Sequence, residues 1–207
     1  MNRKLPIIIV AFVVVVFAFG AWVHLRVAEP PESSPVGGMV VNVSIGGPFE
    51  LTDHTGARMD DKALRGNYAL IYFGYTSCPD VCPTELGGIA AAIDELGENG
   101  ELVNPVMITI DPERDTPEVL AEYVPLFHDR LVGLTGTDAE IKDVAEKYRV
   151  FYRRFEDPNS TFYLMDHTSF VYLIDPDGGV ASMFRYGTPH GDMADTIRQH
   201  MNARAKN

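Results

Sequence analysis

The sequence predicts an α/β domain, a mixed central sheet flanked by helices, behind a single N-terminal transmembrane helix. Three observations carry this. Apolar runs of strand length alternate with segments of helical periodicity through the second and third quarters of the chain. Two further strand-like runs near the end are joined by an Asp-Pro-Asp-Gly turn at 175–178, which makes them an antiparallel pair. An uncharged apolar run from Leu5 to Val23 matches the ~20 residues that cross a bilayer as a helix.

The elements follow in order. Arg3 and Lys4 precede the apolar run and keep the N-terminus cytoplasmic, so that everything after about Arg26 lies outside. Pro6 sits in the first turn, where proline is tolerated. A cleaved signal peptide is the rival reading, with Ala18 and Gly20 as small residues near a cut site. The length of the span and the aromatic Phe17, Phe19 and Trp22 at its end favour a retained anchor, residues 1–26. Either way the domain is exported to a periplasm or an equivalent intermembrane space, on the inner (cytoplasmic) membrane if anchored. "AEPPESSPVGG" is rich in Pro, Ser and Gly and reads as a flexible tether within 27–46. The folded domain is expected over 47–207.

Within it, "PFELTDHTGARM" reads as a hairpin turning at His54–Gly56. "NYALIYFGYT" is continuously apolar, the pattern of a buried central strand. "PTELGGIAAAIDELG" repeats apolar residues at helical spacing, and "LVNPVMITIDP" is a second buried strand. "TPEVLAEYVPLFH" is a helix capped by Thr116 with Pro117 at its first position. "LVGLTG" is a short strand, "TDAEIKDVAEKYRVFY" a helix capped by Thr137, "TSFVYLIDPDGGVASMFRYG" the antiparallel pair, and "HGDMADTIRQHMNA" a closing helix.

The formal net charge is −12, which excludes a nucleic-acid partner because phosphate binding needs a basic face. The only two cysteines, Cys78 and Cys82, fall where a buried strand gives way to a helix. Ligands in α/β folds bind beyond such strand ends. Outside the cytoplasm a cysteine pair can be oxidised. Pro79 and Pro83 leave two helix registers, one starting at Pro79 with Cys78 as cap, the other at Pro83 with Cys82 as cap; the second keeps every backbone bond. In both a sulfur lies at the positive end of the helix, which favours a thiolate. Positions four apart on a helix hold their Cβ atoms ~5–6 Å apart, wider than the ~3.5–4.5 Å of a disulfide. The spacing therefore suits a metal clamp, with reversible oxidation still accessible. An inert disulfide would close a tiny loop and stabilise little.

Two sulfurs leave a metal site incomplete. Soft donors select copper, above all Cu(I). Among the histidines, His24 belongs to the membrane boundary, and His54, His128, His190 and His200 read as solvated turn or helix residues. His167, in "LMDHTSFVYLIDP", stands before an apolar strand at a junction that can face the cysteine loop. Asp111, at the end of the neighbouring strand, is a candidate outer partner of the metal ligands or a plain turn residue before Pro112. Arg114 and Asp115 suggest an ion pair in that loop, and Tyr75, Asp80 and Asp166 are candidates for shaping the pocket. "RRFEDPNSTFYLMD" is long, polar and aromatic, as a mobile flap over the site would be.

"FGYTSCPDVCPTEL", "ITIDPERDTPEVL", "VGLTGT" and "DHTSFVYLIDPDG", in this order behind an N-terminal anchor, resemble the Sco/SenC family of copper-binding cytochrome c oxidase assembly proteins. The resemblance runs from about Gly47 to the C-terminus. It implies a thioredoxin-like fold. It implies that Cys78, Cys82 and His167 bind one copper ion, as Cu(I) or Cu(II). It implies a metallochaperone that delivers copper to the binuclear site of oxidase subunit II, loaded by another periplasmic copper chaperone or kept reduced by a thioredoxin-like reductase. A second reading is an enzyme, a thiol–disulfide oxidoreductase that keeps the oxidase copper-site cysteines reduced. The usual oxidoreductase motif has two residues between its cysteines, and here there are three. A thiol peroxidase with Cys78 as nucleophile ranks last, because no Thr-and-Arg setting for peroxide stands out.

Overall fold

The computed structural model describes Trp22, residues 45–156 and residues 162–206. The chain divides into units Met1–Asn42 and Val43–Asn207, and every element below belongs to the second. Apart from Trp22, the expected membrane anchor and nearly all of the expected tether lie outside the described residues. Among the described residues no helix is long and apolar enough to cross a membrane.

Strands form where apolar runs predict them. They are β1 (Glu50–Asp53), β2 (Arg58–Asp60), β3 (Tyr68–Gly74), β4 (Val103–Thr109), β5 (Val132–Thr135), β6 (Tyr152–Glu156), β7 (Tyr163–His167), β8 (Phe170–Ile174) and β9 (Val180–Arg185). Seven of them make one sheet in the order β2-β1-β5-β4-β3-β8-β9, and β6 and β7 make a separate ribbon. β3, β4 and β5 run parallel, and the other neighbours pair antiparallel. The sheet is therefore mixed, as expected. All seven residues of β3 are buried, because sheet neighbours and helices enclose this strand on every side.

Side chains alternate across the sheet. Phe73 packs on one face against Tyr148 and Tyr172, with ring centroids 5.4 and 5.9 Å away. Tyr72, one residue earlier, faces the other way and reaches the ring of His167 at 6.2 Å. The second face is the one that carries the chemistry.

Four helices accompany the sheet: α1 (Val81–Leu96), α2 (Pro117–Tyr123), α3 (Asp138–Tyr148) and α4 (His190–Arg204). The predicted caps form. Thr116 accepts from the Val119 amide, and Thr137 and Glu140 make a reciprocal capping box. α1 packs against α4.

Two expectations need correction. α1 starts at Val81 with Asp80 in the cap position, so neither proposed register is the real one. Pro83 then falls at the third helical position, where its missing N–H is one of the donors that would lack an intrahelical partner anyway. α3 ends at Tyr148, not Tyr152, because Arg149 turns into the left-handed region at φ 59°. The segment expected as a mobile flap forms the β6–β7 ribbon, paired in register from Tyr152 opposite His167 to Glu156 opposite Tyr163. Residues 157–161 lie outside the described residues.

Candidate metal centre

The site lies at the carboxyl ends of β3 and β4. Gly74 closes β3, and the chain turns through Thr76 and Cys78 into α1. Asp115 clamps this turn from the loop after β4. It is fully buried, and its carboxylate accepts the Thr76 amide at 3.0 Å, the Thr76 hydroxyl at 2.6 Å and the Thr109 hydroxyl at 2.6 Å. Burial pushes its pKa up, and these donors oppose that push. Arg114 pairs with Asp111 and not with Asp115.

The two thiols are unequal. Cys82 is fully buried at the second position of α1, whereas Cys78 is partly exposed in the turn before it. The Cys82 amide donates to the Cys78 sulfur at 3.4 Å. A hydrogen bond from the Cys82 thiol is the main reason that the Cys78 pKa falls, to about 5, with the Asp80 and Cys82 amides adding to it. The same bond, with burial, pushes the Cys82 pKa far up. The shared proton therefore favours the inner sulfur and the negative charge the outer one.

His167 completes the group from β7. Its Nδ1 lies 3.0 Å from the Thr168 carbonyl oxygen, which can only accept, so Nδ1 carries the proton. Burial lowers its pKa and keeps the ring neutral. The lone pair of Nε2 is therefore free, and Nε2 lies 3.7 Å from the Cys82 sulfur. This is the tautomer a metal ligand needs. Tyr75 packs edge-on against the His167 ring at 6.0 Å and accepts the Met165 amide at 3.2 Å. Cys82 thus contacts both Cys78 and His167. Among the described residues no three His, Cys, Asp or Glu side chains are already closed around a metal position.

The other candidates separate. Asp111 is buried and accepts the Tyr163 hydroxyl at 2.8 Å, so it ties the ribbon to the loop after β4. The Asp80 side chain is exposed and makes no cap bond, and only its backbone amide reaches Cys78. Asp166 is exposed on the outer face of the ribbon, paired with Arg153. Sequence reading missed Tyr72 and Tyr123. Both hydroxyls are buried without a well-formed hydrogen bond, and the thiol pair raises the pKa of each beyond the effect of burial. The signal for Tyr72 was available, because residues 72 and 74 share one face of a strand that ends beside the cysteines.

A thioredoxin-like domain with an asymmetric thiol pair and a neutral, aimed imidazole defines a thiol-based metal or redox protein. The chain belongs to the SCO1/SenC family, whose model matches residues 39–202. It is 45% identical over 176 residues to the SCO2-like protein of Rickettsia felis, covering 83% of this chain and 84% of that protein. It is 46% identical over 159 residues to the human protein SCO1 homolog, mitochondrial, covering 76% of this chain and 53% of that protein. Arabidopsis thaliana ScoI with copper bound superposes with a TM-score of 0.71 at 44% identity, covering 75% of this chain and 99% of that one.

Proposed function

We propose that this protein is a copper chaperone of cytochrome c oxidase assembly. It takes one copper ion on Cys78, Cys82 and His167 and passes it to the binuclear site of subunit II. Family membership and the copper-bound ScoI relative support copper as the cargo. The donor set agrees, since two sulfurs and an imidazole are soft ligands that favour copper. The observation that carries the reading is the His167 tautomer, with its Nε2 lone pair turned to the Cys82 sulfur at 3.7 Å. Copper binding displaces the remaining thiol proton, so loading releases protons and weakens at low pH. The exposed Cys78 is where an incoming copper chaperone or an acceptor thiol exchanges ligands.

One observation favours a second role. A partly exposed thiol whose pKa is lowered to about 5, beside a buried thiol, is the arrangement of a dithiol reductant. Cys78 would attack a partner disulfide and Cys82 would resolve the mixed disulfide, which leaves the partner as two thiols and this protein oxidised. A thioredoxin-like reductase restores it. Thiol–disulfide exchange should survive removal of His167 and tight copper binding should not, so His167 separates the two roles.

The test is a Cu(I) titration of the full chain in mild detergent, reduced and free of oxygen, against a competing chelator. The parent is expected to take one equivalent, and His167→Ala to bind about tenfold more weakly for Cu(I) and at least ~100-fold more weakly for Cu(II), which demands more ligands. If neither protein competes for copper the chaperone reading fails, and the reduction potential of the cysteine pair becomes the quantity to measure. The proposed location, a domain outside the cytoplasmic membrane on a retained helix at 5–23, predicts that alkaline carbonate leaves the chain in the membrane pellet.

A further inference from the structure

His167 is carried on a two-stranded ribbon outside the main sheet, so something must hold that ribbon down. A lone hairpin is marginal in water and cannot fix a ligand by itself. The inward row of β7 is Tyr163, Met165 and His167, and the outward row, Leu164 and Asp166, is exposed. Met165 is tied through its amide to Tyr75. Tyr163 is tied far more heavily, by the loop after β4.

Arg114 is the centre of that tie. Its Nε donates to the Asp111 carboxylate and its Nη1 to the Tyr163 carbonyl at 3.1 Å. Its guanidinium carbon lies 3.7 Å from the centroid of the Tyr163 ring and 5.7 Å from that of Tyr75. The Tyr163 hydroxyl completes the loop by donating to Asp111. Arg154 stacks on Tyr163 as well, at 3.6 Å, and reaches back to Glu113 at 3.2 Å. Arg114 touches neither sulfur nor imidazole in any of these contacts.

We propose that Arg114, with Asp111 and Tyr163, is a latch that positions His167 for Cu(II) and leaves the thiol pair alone. This rests on the copper reading above. Two thiolates satisfy Cu(I) with little help, whereas Cu(II) takes a tetragonal set and needs the imidazole in place. Loosening the ribbon therefore changes the ratio of Cu(II) to Cu(I) affinity. Planar, two-pronged contact is what Arg supplies and Lys does not.

The experiment compares the full chain in detergent with Arg114→Gln, His167→Ala and the double variant, titrated separately with Cu(II) and Cu(I). Arg114→Gln is expected to lower Cu(II) affinity about tenfold and weaken the sulfur-to-Cu(II) charge-transfer band, while Cu(I) affinity stays within about threefold. In the His167→Ala background it should add nothing, because the two changes act through one ligand. Equal loss for both ions, or additivity with His167→Ala, overturns the latch. Amide exchange of Met165 in the copper-free protein is a second readout. Its N–H points to Tyr75 and not into the ribbon, so its protection reports docking. Exchange should speed up at least about tenfold in Arg114→Gln; unchanged exchange overturns the proposal. Tyr163→Phe, which removes only the Asp111 bond, replaces Arg114→Gln if that variant does not fold. A parent that binds no copper would defeat the functional reading, and Met165 exchange would then decide the latch by itself.

Discussion

At position 74 even one methyl group is too much. A Cβ there would stand 2.6 Å from Cε1 of Tyr72 and 3.1 Å from the sulfur of Cys82. Tyr72 and Cys82 are both fully buried and cannot step aside. Gly74→Ala is therefore expected to cost about 1–3 kcal/mol by overpacking and to weaken copper binding, because the group displaced is the inner thiol. Urea denaturation and the Cu(I) titration measure the two effects; a variant that keeps both parent values would show that the strand end is looser than its contacts imply. The thiols make a second prediction. Alkylation follows the thiolate fraction, so Cys78 in the reduced protein should react with a midpoint near pH 5, well below the ~8.5 of a free thiol. Its rate rises as pH climbs through that value and then levels. Cys82, buried and held protonated, should stay unmodified through neutral pH. Peptide mass spectrometry after timed iodoacetamide pulses separates the sites, and a Cys78 midpoint near 8.5 would remove the asymmetric pair. The meeting of Cys78 with Cys82 was legible in their spacing, whereas a lone histidine before a strand left His167 open until the family resemblance singled it out. Asp80 reaches Cys78 through its backbone amide and not its side chain, because adjacency in sequence does not say which way a cap side chain points.

Among the elements, the β3–α1 turn depends on a single carboxylate. Asp115 accepts three donors from Thr76 and Thr109 with no solvent to replace it. Asp115→Ala should cost about 3 kcal/mol, since bonds to a charged acceptor are worth ~1.5–3 kcal/mol each and the orphaned donors add to the loss. The cysteine loop should loosen with it, which would appear as a Cys78 midpoint moved back toward the free thiol. A stability change within about 0.5 kcal/mol would show the clamp to be replaceable by water. Caps at Thr116 and Thr137 were legible, because capping is a local rule written in neighbouring residues. The β6–β7 ribbon was not. Arg153, Arg154 and Glu156 break any apolar alternation along β6, so a periodicity test scores the segment as loop. What stabilises it is stacking of Arg154 and Arg114 on Tyr163, between partners 40 or more positions apart for Arg114, which no local window contains.

Taken as a whole, the molecule joins a rigid sheet to a lightly attached ribbon, and the site straddles the join. The sheet half was legible: buried runs gave β3 and β4, and the rule that ligands bind beyond parallel strand ends placed the cysteines correctly. The ribbon half came only with tertiary contacts. This division predicts how motion is distributed. β3 is buried along its whole length and β4 nearly so, so their amides exchange through large-scale unfolding. The ribbon has two strands, exposed residues along most of β6, and a docking contact made by Arg114, Asp111 and Tyr75. Its amides should exchange by local opening, at least ~100-fold faster than those of β3 and β4, a gap of ~3 kcal/mol in opening free energy. Copper bound through His167 would stabilise the docked form by its preference for that form, so loading should slow exchange in β7 and leave β3 and β4 unchanged. Hydrogen exchange read by mass spectrometry, with and without copper, follows both changes at once. Uniform protection across ribbon and sheet in both states would mean that the imidazole sits on a fixed support, and that copper leaves the site without the ribbon opening.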